Sequence, residues 1–154
     1  TDQPIYHALT QVTVERMKQI GFNVDLQAMD WGSVTTRRAK KDPPEAGGWH
    51  IFHTTTGAAP MASPLTSVVT SLTCDGKNWF GWPCDEEADK IRNAYLRSTT
   101  EADQLKNLEA LHKRLWEVVP YVPLGKYERL SAWRKNLDGV LRTNVLALWN
   151  IEKK

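Results

Sequence analysis

Leu9, Val12, Met17 and Ile20 recur at near-helical spacing between Ile5 and Ile20, and Gly21 follows directly as a stop, so the pattern predicts an amphipathic helix. The period then changes. Phe22, Val24, Leu26 and Ala28 alternate strictly with polar residues, which predicts a strand with one buried face. Asp30 is placed to cap a second helix over residues 32–41, with Arg37, Arg38, Lys40 and Lys41 near its negative end, where a solvated basic face is the simpler expectation, and Pro43 and Pro44 end it. Gly47 and Gly48 lead into a short candidate strand from Trp49 to His53. Residues 54–73 lose regularity, with Pro60 and Pro64 as breakers and one short helix expected over Leu65 to Leu72.

Regularity returns after the second cysteine. Asp85 reads as an N-cap with Glu86 and Glu87 in the first turn, and Ala88, Ile91, Ala94 and Tyr95 form an apolar face. Thr100 and Asp103 resemble a capping box, and Leu105, Leu108, Leu111, Leu115 and Val118 continue at helical spacing, so an antiparallel helix pair is expected. Beyond Pro120 the chain reads as extended pieces, Tyr121 to Leu124 and Leu130 to Trp133, then a turn at Asn136 to Gly139 and a strand from Val145 to Ile151. Alternating helical and extended stretches predict an α/β fold with a mixed sheet flanked by helices.

Composition narrows the partners. The 154 residues hold 20 Lys+Arg against 18 Asp+Glu, so no broad basic field exists to hold nucleic acid, which is excluded as a partner. No apolar run approaches the roughly 20 residues that span a bilayer. Thr1 to Pro4 do not read as a secretion signal, so a mature piece or an excised domain is expected.

The candidate chemistry gathers in Cys74 to Cys84, where Trp79, Phe80 and Trp82 sit among Gly76, Gly81 and Pro83. A bridge between the cysteines would add roughly 3 kcal/mol by the chain-entropy estimate and imply an oxidising compartment, while two reduced thiols are the other reading. Trp79 and Trp82 either wall a cleft or pack beneath their own loop. Trp49, His53, Thr54, Thr55 and Thr56 stand at the exit of the candidate strand, where α/β sheets bind ligands, and strand-end hydrogen bonding is their plainer reading. His50 and His53 with Cys74 and Cys84 make a poor zinc set, because residues three apart on a strand face opposite ways. No hydrolase, phosphate-loop or dinucleotide motif is present, so an enzyme and a cofactor are not expected.

Several segments together carry a family resemblance: Lys18-Gln-Ile-Gly21-Phe-Asn-Val24, Met29-Asp-Trp31, Gly47-Gly-Trp49-His-Ile-Phe52, Asn78-Trp-Phe-Gly-Trp82, Val118-Val-Pro-Tyr-Val-Pro-Leu124 and Arg134-Lys-Asn-Leu-Asp-Gly139-Val. In this order they resemble the C-terminal lobe of family 5 solute-binding proteins, extracytoplasmic receptors of ABC importers. The resemblance implies one lobe (residues 1–130) of a periplasmic type II clamshell, with a tail (131–154) that crosses toward the other lobe or pairs with a second copy as a homodimer. It also implies a solute held between lobes, a membrane permease as partner, and Trp49, Trp79, Phe80, Trp82 and residues 53–56 on the cleft side. Peptide binders place an aspartate after the strand corresponding to Trp49, to meet the peptide's ammonium group. Here His53 to Pro60 carries no acid, so peptide, sugar, opine and other polar solutes stay open. A self-contained carbohydrate-binding module using Trp79 and Trp82 as stacking platforms is the alternative, and a small hydrolase built on His50 or His53 a third.

Overall fold

Asp85 shows how local chemistry starts the best-packed part of the chain. In the computed structural model, which describes residues 2–128, 130–143 and 147–154, its carboxylate accepts the Ala88 amide at 2.7 Å and opens α4 (Glu86–Arg97). Thr100 does the same for α5 (Glu101–Val118), accepting the Asp103 amide at 3.1 Å while its hydroxyl donates to the Asp103 carboxylate at 2.6 Å. Arg114, near the end of α5, reaches back to Asp85 through Nε at 3.0 Å and Nη2 at 2.6 Å, so the helices run antiparallel as the pattern predicts. Between them Ala88 and Leu111 are fully buried together with Leu72, and Ile91, Leu115 and Val118 pack around that centre.

The chain divides into two compact units, residues 1–120 and 121–154. In the first, α1 (Pro4–Gln19) begins on a proline, and Gly21 at φ +93° ends it in a left-handed turn that a side chain would resist. Its inward face is Tyr6, Thr10, Thr13, Val14 and Met17, whereas Val12 is 63% and Ile20 74% exposed. Of the predicted face Leu9 and Met17 are partly covered and Val12 and Ile20 are not, because the covered face mixes threonines and an aromatic with aliphatics. Asp30 caps α2 (Trp31–Arg38) through the Ser33 amide at 3.0 Å. This helix stops three residues short of the expected Lys41, and residues 39–43 lead into a 3-10 turn at Pro44–Ala46. Gly48 is buried against this turn, where an added Cβ would lie 1.7 Å from the Asp42 carbonyl oxygen.

The segments expected as strands at Phe22 to Ala28 and Trp49 to His53 lie in the first unit without ladder partners. Alternation gave each a face to bury, but a strand exists only with a neighbour, and none of the described residues supplies one. The helix expected over Leu65 to Leu72 is replaced by α3 (Ala58–Met61), a turn, and a 3-10 segment at Val68–Thr70. Side chains bond to carbonyls here: Thr70 Oγ1 and Arg92 Nε donate to the Pro64 carbonyl oxygen at 3.2 and 3.0 Å.

The second unit contains a two-stranded antiparallel sheet, β1 (Leu137–Asp138) with β2 (Glu152–Lys153), pairing Leu137 with Lys153. Tyr121 to Leu124 and Leu130 to Trp133 join no ladder among the described residues. Of the strand expected from Val145 to Ile151, Val145 and Leu146 lie outside the described residues, and Trp149 and Asn150 form a turn.

Candidate functional site

Cys74 and Cys84 are joined by a disulfide that closes the aromatic loop. Within it Asn78 works as an internal brace, its Nδ2 donating to the carbonyl oxygens of Ser71, Thr73 and Pro83 at 3.2, 3.0 and 2.5 Å. Trp79 to Trp82 is a tight turn closed by the Trp82 amide on the Trp79 carbonyl oxygen at 2.8 Å. Trp82 sits at φ +44°, in the left-handed region that bulky residues avoid at a cost of about 1–3 kcal/mol. The surrounding braces hold that residue in place against this cost.

The loop seats on the end of α2. The Arg38 guanidinium lies among four rings, 4.4 Å from the centroid of Phe80, 5.2 Å from Trp79, 5.4 Å from Trp31 and 5.9 Å from Phe52. Burial among these rings lowers its pKa. One turn on, Lys41 stands 4.7 Å from the Trp82 ring and donates to the Gly76 carbonyl oxygen at 3.1 Å. Trp49 joins the same cluster by donating from Nε1 to the Arg38 carbonyl oxygen at 3.0 Å and meeting Phe52 edge to face at 4.7 Å. Arg37 donates to the Gly48 carbonyl oxygen at 2.9 Å. The basic end of α2, expected to be solvated, is thus a socket for the aromatic loop at Arg38 and Lys41. Cation–π contacts of this kind stabilise by about 0.5–2 kcal/mol each according to how dry they are.

The structure brings Trp49, Trp79, Phe80 and Trp82 of the predicted set together around this socket, each half-buried. His53 and Thr55 turn instead to α1. His53 Nδ1 lies 3.0 Å from the Thr10 hydroxyl and Nε2 2.9 Å from that of Thr13, while Thr55 bonds the Tyr6 hydroxyl at 2.8 Å. Burial lowers the His53 pKa, favouring a neutral imidazole. Thr54 and Thr56 are exposed. Arg38, Lys41, Tyr6 and Trp31 were not among the predicted site residues. In the sequence only the two cations three apart at a helix end are visible, since the aromatic loop that meets them begins at Cys74, far along the chain.

Both cysteine sulfurs are taken up by the disulfide, and no cluster of three or more metal-ligating side chains occurs among the described residues. No helix among them is long and apolar enough to cross a membrane.

The chain matches no family model. It is 34% identical over 145 residues to the probable peptide ABC transporter periplasmic-binding protein y4tO of Sinorhizobium fredii, an alignment covering 94% of this chain and 27% of that protein. The chain belongs to the family 5 solute-binding proteins. A further relative is the glutathione-binding protein GsiB of Escherichia coli K12, 25% identical over 142 residues, covering 84% of this chain and 26% of GsiB. The chain thus spans about a quarter of the length of these solute-binding relatives. By name both are binding proteins, the first of a peptide ABC transporter.

Proposed function

We propose that these residues form the C-terminal lobe of a periplasmic type II clamshell, and that the full-length receptor hands a small polar, peptide-like solute to an ABC permease. The similarity to a probable peptide-binding receptor along 94% of the chain carries this reading. The named relatives, one of peptide and one of glutathione, favour a peptide-like compound over a sugar. In such a receptor contacts from both lobes stabilise the closed form, and closure is the signal a permease senses.

Within this lobe the aromatic loop is the proposed wall of the cleft. Trp82 is its tip, held in a strained backbone conformation by a disulfide, an asparagine brace and a cation–π contact, an arrangement more often maintained for a binding role than for packing alone. Trp79, Phe80 and Trp49 back it around Arg38, and Thr54 and Thr56 offer exposed hydroxyls nearby in sequence to His53. His53 and Thr55 support this edge through α1. Because residues 53–60 carry no acid, a peptide's ammonium group would be met by the other lobe or by carbonyl oxygens.

The test is to purify the full-length receptor, identify the copurifying compound by mass spectrometry, and measure its affinity for the wild type and for Trp82→Ala. Loss of one aromatic wall should weaken binding about tenfold or more. Unchanged affinity removes Trp82 from the site, and a copurifying glycan would favour a carbohydrate receptor.

A further inference from the structure

We infer that His53 is a positioning residue: as the tautomer with its proton on Nδ1, it fastens residues 53–56 to α1 and so aims the Thr54 and Thr56 hydroxyls outward, toward the solute. The inference rests on the cleft assignment above and adds which atoms hold that edge in place. Along residues 53–56 covered and exposed side chains alternate, with His53 and Thr55 half-buried and Thr54 and Thr56 exposed. Neighbours in an extended chain point to opposite faces, so pinning the covered pair fixes where the exposed pair points. The covered pair is pinned by side chains. Thr55 bonds the Tyr6 hydroxyl at 2.8 Å, and His53 Nδ1 and Nε2 meet the Thr10 and Thr13 hydroxyls at 3.0 and 2.9 Å.

Counting protons selects the tautomer. The Thr10 hydroxyl donates to the Tyr6 carbonyl oxygen at 2.7 Å, and a hydroxyl has one proton to give. Its oxygen therefore accepts from His53, which places the ring proton on Nδ1, and Nε2 of the neutral ring then accepts from Thr13. Each of the contacts receives a proton of its own. With the ring proton on Nε2, Thr10 would have to serve both the carbonyl oxygen and Nδ1 with a single hydrogen, and one contact would set lone pair against lone pair. Charging the ring keeps the bond to Thr10, but it forces the Thr13 hydroxyl to turn its proton away, and burial penalises the cation. The ionisable groups bordering the same space are Asp2, Tyr6, His7, Asp25, Arg37, Arg38 and His50, and burial alone depresses the His53 pKa. The fastening is complete in the neutral form and weakens in acid.

The test uses the full-length receptor and the compound that copurifies with it. Nitrogen-15 NMR of labelled histidine, assigned by the signal lost in His53→Asn, should show the proton on Nδ1 near neutral pH. A ring protonated on Nε2 overturns the proposal without any variant having to fold. His53→Leu stays apolar and removes both bonds, so affinity should fall about tenfold. His53→Asn restores a donor at the Nδ1 position and should recover most of that loss. Wild-type affinity should weaken about threefold or more between about pH 7 and about pH 5, while the Asn variant stays flat. A lower melting temperature in His53→Leu with unchanged affinity would make the residue structural and overturn the proposal. The double variant Thr54→Ala, Thr56→Ala separates this inference from the reading beneath it. If it leaves affinity unchanged, residues 53–56 are not on the cleft; if it lowers affinity and His53→Leu does not, the role of His53 alone fails.

Discussion

The α4/α5 hairpin and the α1/α2 region are each built on two helices, yet they reach different degrees of completion. In the hairpin each helix begins on a side-chain cap, Asp85 or Thr100, the apolar faces meet each other, and Leu72, Ala88 and Leu111 lose nearly all their exposure. Around α1 no residue of either helix is fully buried, and two candidate strands stand with open edges. The difference is one of range. Helices satisfy their own backbones and a hairpin finds its partner across a three-residue turn, whereas a strand depends on a partner distant in sequence.

Three perturbations sharpen the contrast. Leu111→Ala should cost about 2–5 kcal/mol in chemical denaturation, because it empties the centre of the closed half. A loss under about 1 kcal/mol would mean that the hairpin core does not hold the unit together. Asp85→Ala comes next, at about 1–2 kcal/mol for the lost cap alone. The Arg114 hydrogen bonds and then the Ala88 amide lower the Asp85 pKa below its ordinary 3.8. The stabilisation is therefore complete above about pH 4 and is lost as pH falls through the folded-state value. A wild-type stability profile in acid should be steeper than that of Asp85→Ala, and parallel profiles would refute the linkage.

The smallest effect belongs to His53 in the open half. Burial depresses its pKa below 6.5, so the folded state binds the proton less readily than the unfolded chain. Stability is then full above about pH 6.5 and falls on acidification through the folded-state value. Melting temperature should drop between pH 7 and pH 5, and His53→Gln should flatten that slope. An undiminished slope in the variant assigns it to other groups.

How much could be read in advance follows the same division. Asp85, Thr100 and Asp103 announced their helices because a cap and its first turn are adjacent in sequence. The turns of the aromatic loop and its bridge were legible from Cys74, Gly81, Pro83 and Cys84 for the same reason. The covered face of α1 was legible only in part because Tyr6, Thr10 and Thr13 are chosen by His53 and Thr55, some forty residues away. Arg38 was hidden more deeply, since its rings come from Trp31, Phe52, Trp79 and Phe80, and no local pattern joins them. Alternation from Phe22 to Ala28 correctly named a face for burial, but it contains no information on the strand that would complete the sheet.

Native-state hydrogen exchange on the 154-residue chain tests the central contrast most directly. The account predicts strong protection through α4 and α5 around Leu111, with residues 23–28 and 49–52 exchanging at nearly the rate of an unstructured peptide. Uniform protection across both regions would contradict it.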